Sequence, residues 1–326
     1  RSTLFPYTTL FRSELISVGS YVFRRLLSAV LVIFIVATAT FVLMHAIPGG
    51  PFKREKALPP AIQRNIEERY KLNDPLWKQY VDYIGNLIRG DLGPSYKYLG
   101  RSVNDIIREG FPISAHLGLV SVMFALVVGV PCGIISALKQ NRWQDNVIMA
   151  FAIIGVSVPS FVMATLLMYV FAVRLRWLPA AMWGTPKHVI LPMLALAGFP
   201  TAFFARLMRS STLDVLSQDY IRTARSKGLS WAAVVYKHVI KNAILPVVTY
   251  LGPLVAGIVT GSFVVENIFA IPGLGRYYVT SIYNRDYTVI LGVTIFYSAL
   301  LVFLNFGVDI AYGWIDPRIK LMDAKE

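Results

Sequence analysis

The chain has 326 residues, 56% of them hydrophobic and 15% charged, where soluble domains average about 45–50% and 25%. That balance excludes a disordered chain and argues against a soluble enzyme; long uncharged runs point instead to a polytopic membrane protein. The net charge of +14 falls mostly between apolar runs and is not interleaved with stacking aromatics, so it reads as membrane-flank charge and not as a nucleic-acid surface. In chain order, residues 1–20 read as a non-native or disordered segment, because the first thirteen carry neither an apolar core nor a small-residue cleavage site. Residues 21–52 form a first transmembrane span and 53–109 an extracytoplasmic cap. Residues 110–312 form a five-span core with an inner loop over 210–241, and 313–326 a cytoplasmic C-terminal tail.

Six stretches without Asp, Glu, Lys or Arg are long enough to cross a bilayer: 26–52, 110–138, 146–173, 188–205, 242–265 and 287–308. A span needs roughly 17–25 mostly apolar residues, so the fourth is the shortest, and it is expected to borrow Arg206 and Arg209 as snorkelling interfacial anchors. Helices satisfy every backbone polar group internally, which makes the fold class an all-α polytopic membrane protein of six transmembrane helices. With both termini cytoplasmic, the 32 Lys and Arg residues divide evenly between the two sides, so charge alone does not orient the chain. The cap, with Pro59-Pro60, Trp77 and the turn-rich run from Arg89 to Pro94, is expected to fold as short helices and turns. In the last outer segment Pro272, Gly273 and Gly275 break any helix, predicting a tight or re-entrant loop packed on the bundle.

Enzyme chemistry finds no support. Gly-Lys never occurs, so there is no phosphate loop; HExxH and Gly-x-Ser-x-Gly are absent, and the four histidines have no ligand spacing. The single cysteine, Cys132, excludes an internal disulfide and reads as a small core residue. Asp309 and Glu266 fall at span ends and read as interfacial charges. No catalytic residue or metal ligand emerges, so whatever drives this protein comes from outside the chain.

The inner loop is the most informative segment. Ser217 is expected to cap a short helix over 218–227, Gly228 to end it in the left-handed conformation, and Ser230 to cap a second helix through Val234, Val235, His238 and Val239. Tyr220, Ile221 and Ala224 share one face, and Arg222, Arg225 and Lys227 the other. Ala224 is small enough to let a partner's surface approach. From these residues alone the helix is either a connector lying in the head groups or a docking element.

Arg222-Thr-Ala224, three further residues and then Gly228 resemble the "EAA" loop of binding-protein-dependent ABC importer permeases. The Glu of that name is Arg222 here and Pro246 falls later than the general pattern puts it; both departures match the peptide-permease branch, as do His238 and Asn242-Ala-Ile-Leu-Pro246. Tyr21 to Leu27, Ile47 to Phe52, Leu72 to Tyr80, Gly90 to Ser95, and Glu266 to Arg276 with Arg285-Asp-Tyr287 are similar to other parts of that branch, in order, to the end of the chain. The resemblance is to the first ("B") permease subunit of an oligopeptide or dipeptide importer.

It implies a type I-like permease in a bacterial or archaeal cytoplasmic membrane, with no cofactor of its own. ATP and Mg would be bound by two partner ATPase subunits. The further partners would be a second homologous permease subunit and an extracytoplasmic peptide-binding protein. By the same resemblance Asp219, Tyr220, Ile221, Arg222, Thr223, Ala224, Arg225 and Gly228 form the coupling helix that docks on an ATPase subunit. Ser157, Pro159 and Ser160 in the third span and Asn305 in the sixth are candidates to line the translocation path, with helix–helix packing as the alternative use of such residues. Nickel and glutathione permeases share the scaffold. A secondary carrier would need intramembrane ionisable groups or an inverted repeat, and a membrane-embedded enzyme or assembly factor a catalytic constellation at a span end; neither is apparent.

Overall fold

The computed structural model describes residues 7–47 and 73–315. The expectations for Pro59-Pro60, for the chain between Pro48 and Leu72, for the side chain of Asp309 and for the tail beyond Ile315 lie outside the described residues. Twelve named elements, all helical, organise the rest. These are α1 (Tyr7–Ala46), α2 (Leu76–Ile88), α3 (Val103–Leu138), α4 (Trp143–Ser157), α5 (Ser160–Leu167, extended by a π-helical turn Met168–Arg174), α6 (Pro186–Leu216), α7 (Asp219–Ser226), α8 (Trp231–Val234), α9 (Leu245–Gly261), α10 (Phe263–Ile268), α11 (Leu274–Asn284) and α12 (Tyr287–Ile315). A wide turn, Val235–Ile240, and Lys241–Ala243 join α8 to α9.

Among the described residues five helices are long and apolar enough to cross a membrane, and the pair α4–α5, bent by 107°, meets the same measure when its two halves are taken together. The expected uninterrupted third span is therefore corrected. Pro159 has no N–H to give and pushes Val158 out of the helical region (ψ 118), so α4 stops at Ser157 and α5 restarts at Ser160. The fourth span, expected to be the shortest, belongs to the 31-residue helix α6; charge ended the sequence run at Arg206, but the helix continues because Arg209 is paired within the protein. The second span begins at Val103, ahead of the predicted 110, where Ser102 and Asp105 form a reciprocal capping box. The helix of the first span starts at Tyr7; extending a helix already nucleated by the span costs little where no proline intervenes.

The bundle is built on α3 and α6. One stripe of α3 is small throughout: Gly110, Ser114, Gly118, Ser121, Ala125, Gly129 and Gly133 are all buried. Between membrane helices, small residues let the backbones approach, where apolar side chains would gain nothing over lipid. A Cβ at Gly129 would lie 2.7 Å from the Thr201 carbonyl oxygen, and one at Gly133 would lie 2.5 Å from that of Ala205 and 2.7 Å from the Met208 Cβ. Gly155 of α4 meets Ala202 and Gly198 of α6 in the same way. Nearer the other end of α6, Leu191 and Ala195 pack with Ala164 of α5, Leu117 of α3 and Phe269. The two halves of the broken span thus lean on successive stretches of one helix.

Arg209 is where the interfacial-anchor expectation fails. Its guanidinium makes a two-pronged ion pair with Asp145, both N···O distances 2.8 Å, and Ser136 Oγ and the Asn141 N–H (3.0 Å) complete the carboxylate's partners. A buried carboxylate needs such a set of partners to stay in place, and this one ties the α3–α4 turn to α6. Gly133→Leu should force α3 and α6 apart, with overpacking on the order of 1–3 kcal/mol. The detergent-solubilised variant should lose fluorescence-detected monodispersity at a lower temperature than the parent, whereas Gly257→Ala, whose added Cβ would meet nothing within 4 Å, should melt with it.

Candidate functional site

Three features stand out: a short exposed helix, a groove behind it, and two buried carboxylates at the opposite end. The short helix α7 has two turns and not the three expected. Ser217 ends α6, its hydroxyl donating to the Asp214 carbonyl (2.7 Å), so the N-cap falls to Gln218, which makes no side-chain cap. Gly228 ends the segment at φ +80, and the Ser230 hydroxyl accepts from the Ala233 N–H to start α8; both match expectation.

What holds α7 is its own small core. Ile221 (2% exposed) and Ala224 (7%) pack with Val234 and Val239, against Val215 and Leu216. Burying one such Ile is worth about 1.5–3 kcal/mol. Ala224 therefore faces its own chain, correcting the expectation that it receives a partner's wall. The outward face is Asp219, Tyr220, Arg222, Thr223 and Arg225, all exposed. Arg222 and Asp219 pair at 3.6 Å with both side chains largely in solvent, a contact weak enough to be exchanged. The Arg225 guanidinium lies 5.2 Å from the Trp231 ring centre, which stiffens the corner between α7 and α8.

A groove of about 440 Å³ opens between the α4–α5 kink, α6 and α9, lined by Pro159, Ser160, Phe199, Pro200, Tyr250 and Gly257 among others. Of the four path candidates, Pro159 and Ser160 belong to this lining; Ser157 is exposed beside the kink and Asn305 is half-buried on α12, neither in the wall. Prolines sit on three of its borders, Pro159 at the kink, Pro200 within α6 and Pro253 within α9, and each lacks the N–H of a backbone bond.

At the far end Glu266 is fully buried, not interfacial. Ser262 Oγ donates to one carboxylate oxygen, and the Gly275 and Arg276 N–H groups to the other (2.9 and 3.3 Å). These are free N–H groups in the first turn of α11, where a carboxylate is stabilised. The expected loop at Pro272 and Gly273 is present, but Gly275 does not break a helix: it is the second residue of α11 and lets the Glu266 carboxylate and Phe263 approach. Asp286, singled out only as part of a motif, is the second such anchor. It accepts from Ser95 Oγ, from the N–H groups of Tyr96 and Lys97 (3.1 and 3.2 Å) and from Thr288 Oγ1 (2.9 Å), clamping the segment before α3 onto the start of α12. The readable signal was an acidic residue just before a helix.

Comparison with known proteins agrees with this architecture. Residues 129–321 match the family model of the binding-protein-dependent transport system inner membrane component, and residues 19–117 the model of its N-terminal part. The chain is 50% identical over 301 residues to the dipeptide transport system permease protein DppB of Bacillus subtilis, covering 92% of this chain and 98% of that protein. It is 46% identical over 302 residues to the oligopeptide transport system permease protein OppB of Salmonella typhimurium, covering 92% and 99%. Among solved structures, an inward-facing MetNI methionine ABC transporter aligns with TM-score 0.56 at 17% identity, over 65% of this chain and 96% of the matched one, a likeness of fold. The chain belongs to the family of binding-protein-dependent transport system inner membrane components, as a multi-pass permease subunit of an ABC importer.

Proposed function

We propose that this permease imports oligopeptides or dipeptides across the cytoplasmic membrane, with both termini in the cytoplasm and α7 as the element docked by an ATPase subunit. The observation that carries the docking assignment is that α7 presents a polar face, centred on Tyr220, Arg222 and Thr223, while Ile221 and Ala224 fix it to the protein. The names of the similar permeases support the peptide substrate. A second homologous permease subunit would complete the path, two ATPase subunits would bind ATP and Mg, and an extracytoplasmic protein would deliver the peptide. The chain itself would catalyse no chemistry.

The contacts of α7 explain how docking could reach the path. Its core residues touch the end of α6 through Val215 and Leu216, and the α8–α9 connection through Val234 and Val239. The Ser211 hydroxyl donates to the Ala243 carbonyl (2.8 Å), joining the same two arms again. Helices α6 and α9 are two walls of the groove. A displacement of α7 therefore moves both walls together and leaves the ends held by Glu266 and Asp286 as pivots. ATP binding in the partner subunits supplies the work; this chain's part is a lever and a lining.

Gly228→Val strains a left-handed backbone without a clash, since nothing lies within 4 Å of the added Cβ. At about 1–3 kcal/mol, roughly a 5- to 150-fold shift in docking, it should leave the protein inserted but lower ATPase co-purification and peptide uptake. Tyr220→Ala with Arg222→Glu should do the same from the exposed face, and Ser28→Ala should be silent, its hydroxyl bonding only its own helix at Arg24. Full assembly and uptake in both docking variants would leave α7 a mere connector; lost nickel or glutathione uptake with peptide uptake intact would replace the substrate. Gly257→Trp should fill the groove without disturbing the fold, so that the complex assembles and hydrolyses ATP while peptide uptake falls at least tenfold, about 1.4 kcal/mol. Unchanged uptake would remove the groove from the path.

A further inference from the structure

We propose that α2 is an interfacial helix whose exposed apolar flank beds into the lipid bilayer, at the membrane surface opposite α7. Pro75 precedes this 13-residue helix, and no residue in it is fully buried. Three flanks run along it. Gln79, Tyr80 and Tyr83 hold it to α1: the Tyr80 and Thr38 hydroxyls lie 2.7 Å apart, Gln79 Oε1 is 3.3 Å from His45 Nε2, and the Phe41 ring meets Tyr80 edge-on and stacks on Tyr83. A second flank is Trp77, Val81, Ile84 and Ile88, spaced i, i+4, i+7 and i+11 as one helical stripe. Trp77 is 69% exposed, Val81 58% and Ile88 82%. The third is polar: Lys78, Asp82, Asn86 and Arg89 recur at i, i+4, i+8 and i+11 on the opposite side and are all exposed.

An apolar stripe and a polar stripe on either side of a tethered face are what a helix at a lipid–water boundary requires. The position of the tether agrees. Phe23–Ala46 is the apolar span of α1, and at 1.5 Å per residue Phe41 and Thr38 lie about 7 and 12 Å below its end. Those depths lie on either side of the 10 Å end of the roughly 5–10 Å to which interfacial helices sink. The lipid-facing side chains of α1 continue the stripe, since Val42 and Leu43 are exposed alongside the contact. Trp77 falls where aromatic rings collect at a membrane surface, and Trp177, at the end of the α5 span on that same side, is exposed as well.

The occupant we assign is therefore lipid and not a protein. The stripe is continuous with a surface that faces the bilayer, whereas the side turned to water is the charged one. The consequence is mechanical: α2 leads into the turn at Gly90, which is bonded to Asn104 (2.7 Å), and on to the Ser95–Asp286 clamp. Lipid would thus steady the outer end of the bundle.

The test uses the assembled transporter with Cys132→Ser as background, reconstituted in vesicles of phosphatidylethanolamine and phosphatidylglycerol. Nitroxide labels go at Val81→Cys and Ile88→Cys on the apolar flank, and at Asp82→Cys and Asn86→Cys on the polar one. Positions 81 and 88 should collide several-fold more with dissolved oxygen than with a water-soluble nickel chelate, and positions 82 and 86 the reverse. Equal exposure of all four to the chelate would overturn the proposal in favour of a solvated helix. Immobilised labels at 81 and 88, shielded from both reagents, would overturn it in favour of a protein partner.

Discussion

The approach of α3 to α6 is the constraint on which the rest of the structure depends. Lipid tails are as apolar as leucine, so two membrane helices gain little by burying large side chains and much by fitting closely. Gly129 and Gly133, at one end of the small stripe of α3, permit that fit, and Gly155 makes the same kind of approach from α4. With α6 held this way, the broken span, the groove and the short helix α7 all have a common support. The Asp145–Arg209 pair fixes the same helix near the end that leads to α7. A pair of this kind contributes less to stability than to geometry, because its desolvation offsets much of its attraction.

Function follows from what is left free. Helix α7 is seated by two residues and shows the remainder to solvent, so it can be pushed without disturbing the core of the bundle. It is seated on the end of α6 and, through α8 and the connection that follows, on the arm leading into α9; α6 is a wall of the groove through Phe199 and Pro200, and α9 through Tyr250 and Gly257. At the opposite end, Glu266 and Asp286 are bonded mostly to backbone N–H groups, which cannot swing away as side chains can. A short helix with a free outward face at one end, a backbone-bonded clamp at the other and a groove between them suit alternating access.

Much of this was legible in the residues. Six apolar stretches, the punctuation at Gly228 and Ser230, and the ordered motifs of the family are local signals, and local signals survive folding. What escaped depended on pairs distant in sequence. Arg209 read as an interfacial anchor because its partner, Asp145, lies 64 residues earlier. Glu266 looked interfacial because its donors include N–H groups of a helix whose direction no pattern reveals. Ala224 was misassigned because a stripe on a two-turn helix does not say whether its apolar side meets its own chain or a partner. Pro159 carried its signal openly, but an uncharged run on both sides hid the break it makes.

The claim that α7 receives an ATPase subunit is tested most directly by photo-crosslinking in the assembled transporter, with benzoylphenylalanine in place of Tyr220, of Thr223 and, as a comparison at the neighbouring inner turn, of Gln140. The account predicts an adduct with the ATPase subunit from Tyr220 and Thr223, and none from Gln140. An adduct from Gln140, with none from either position on α7, would contradict it.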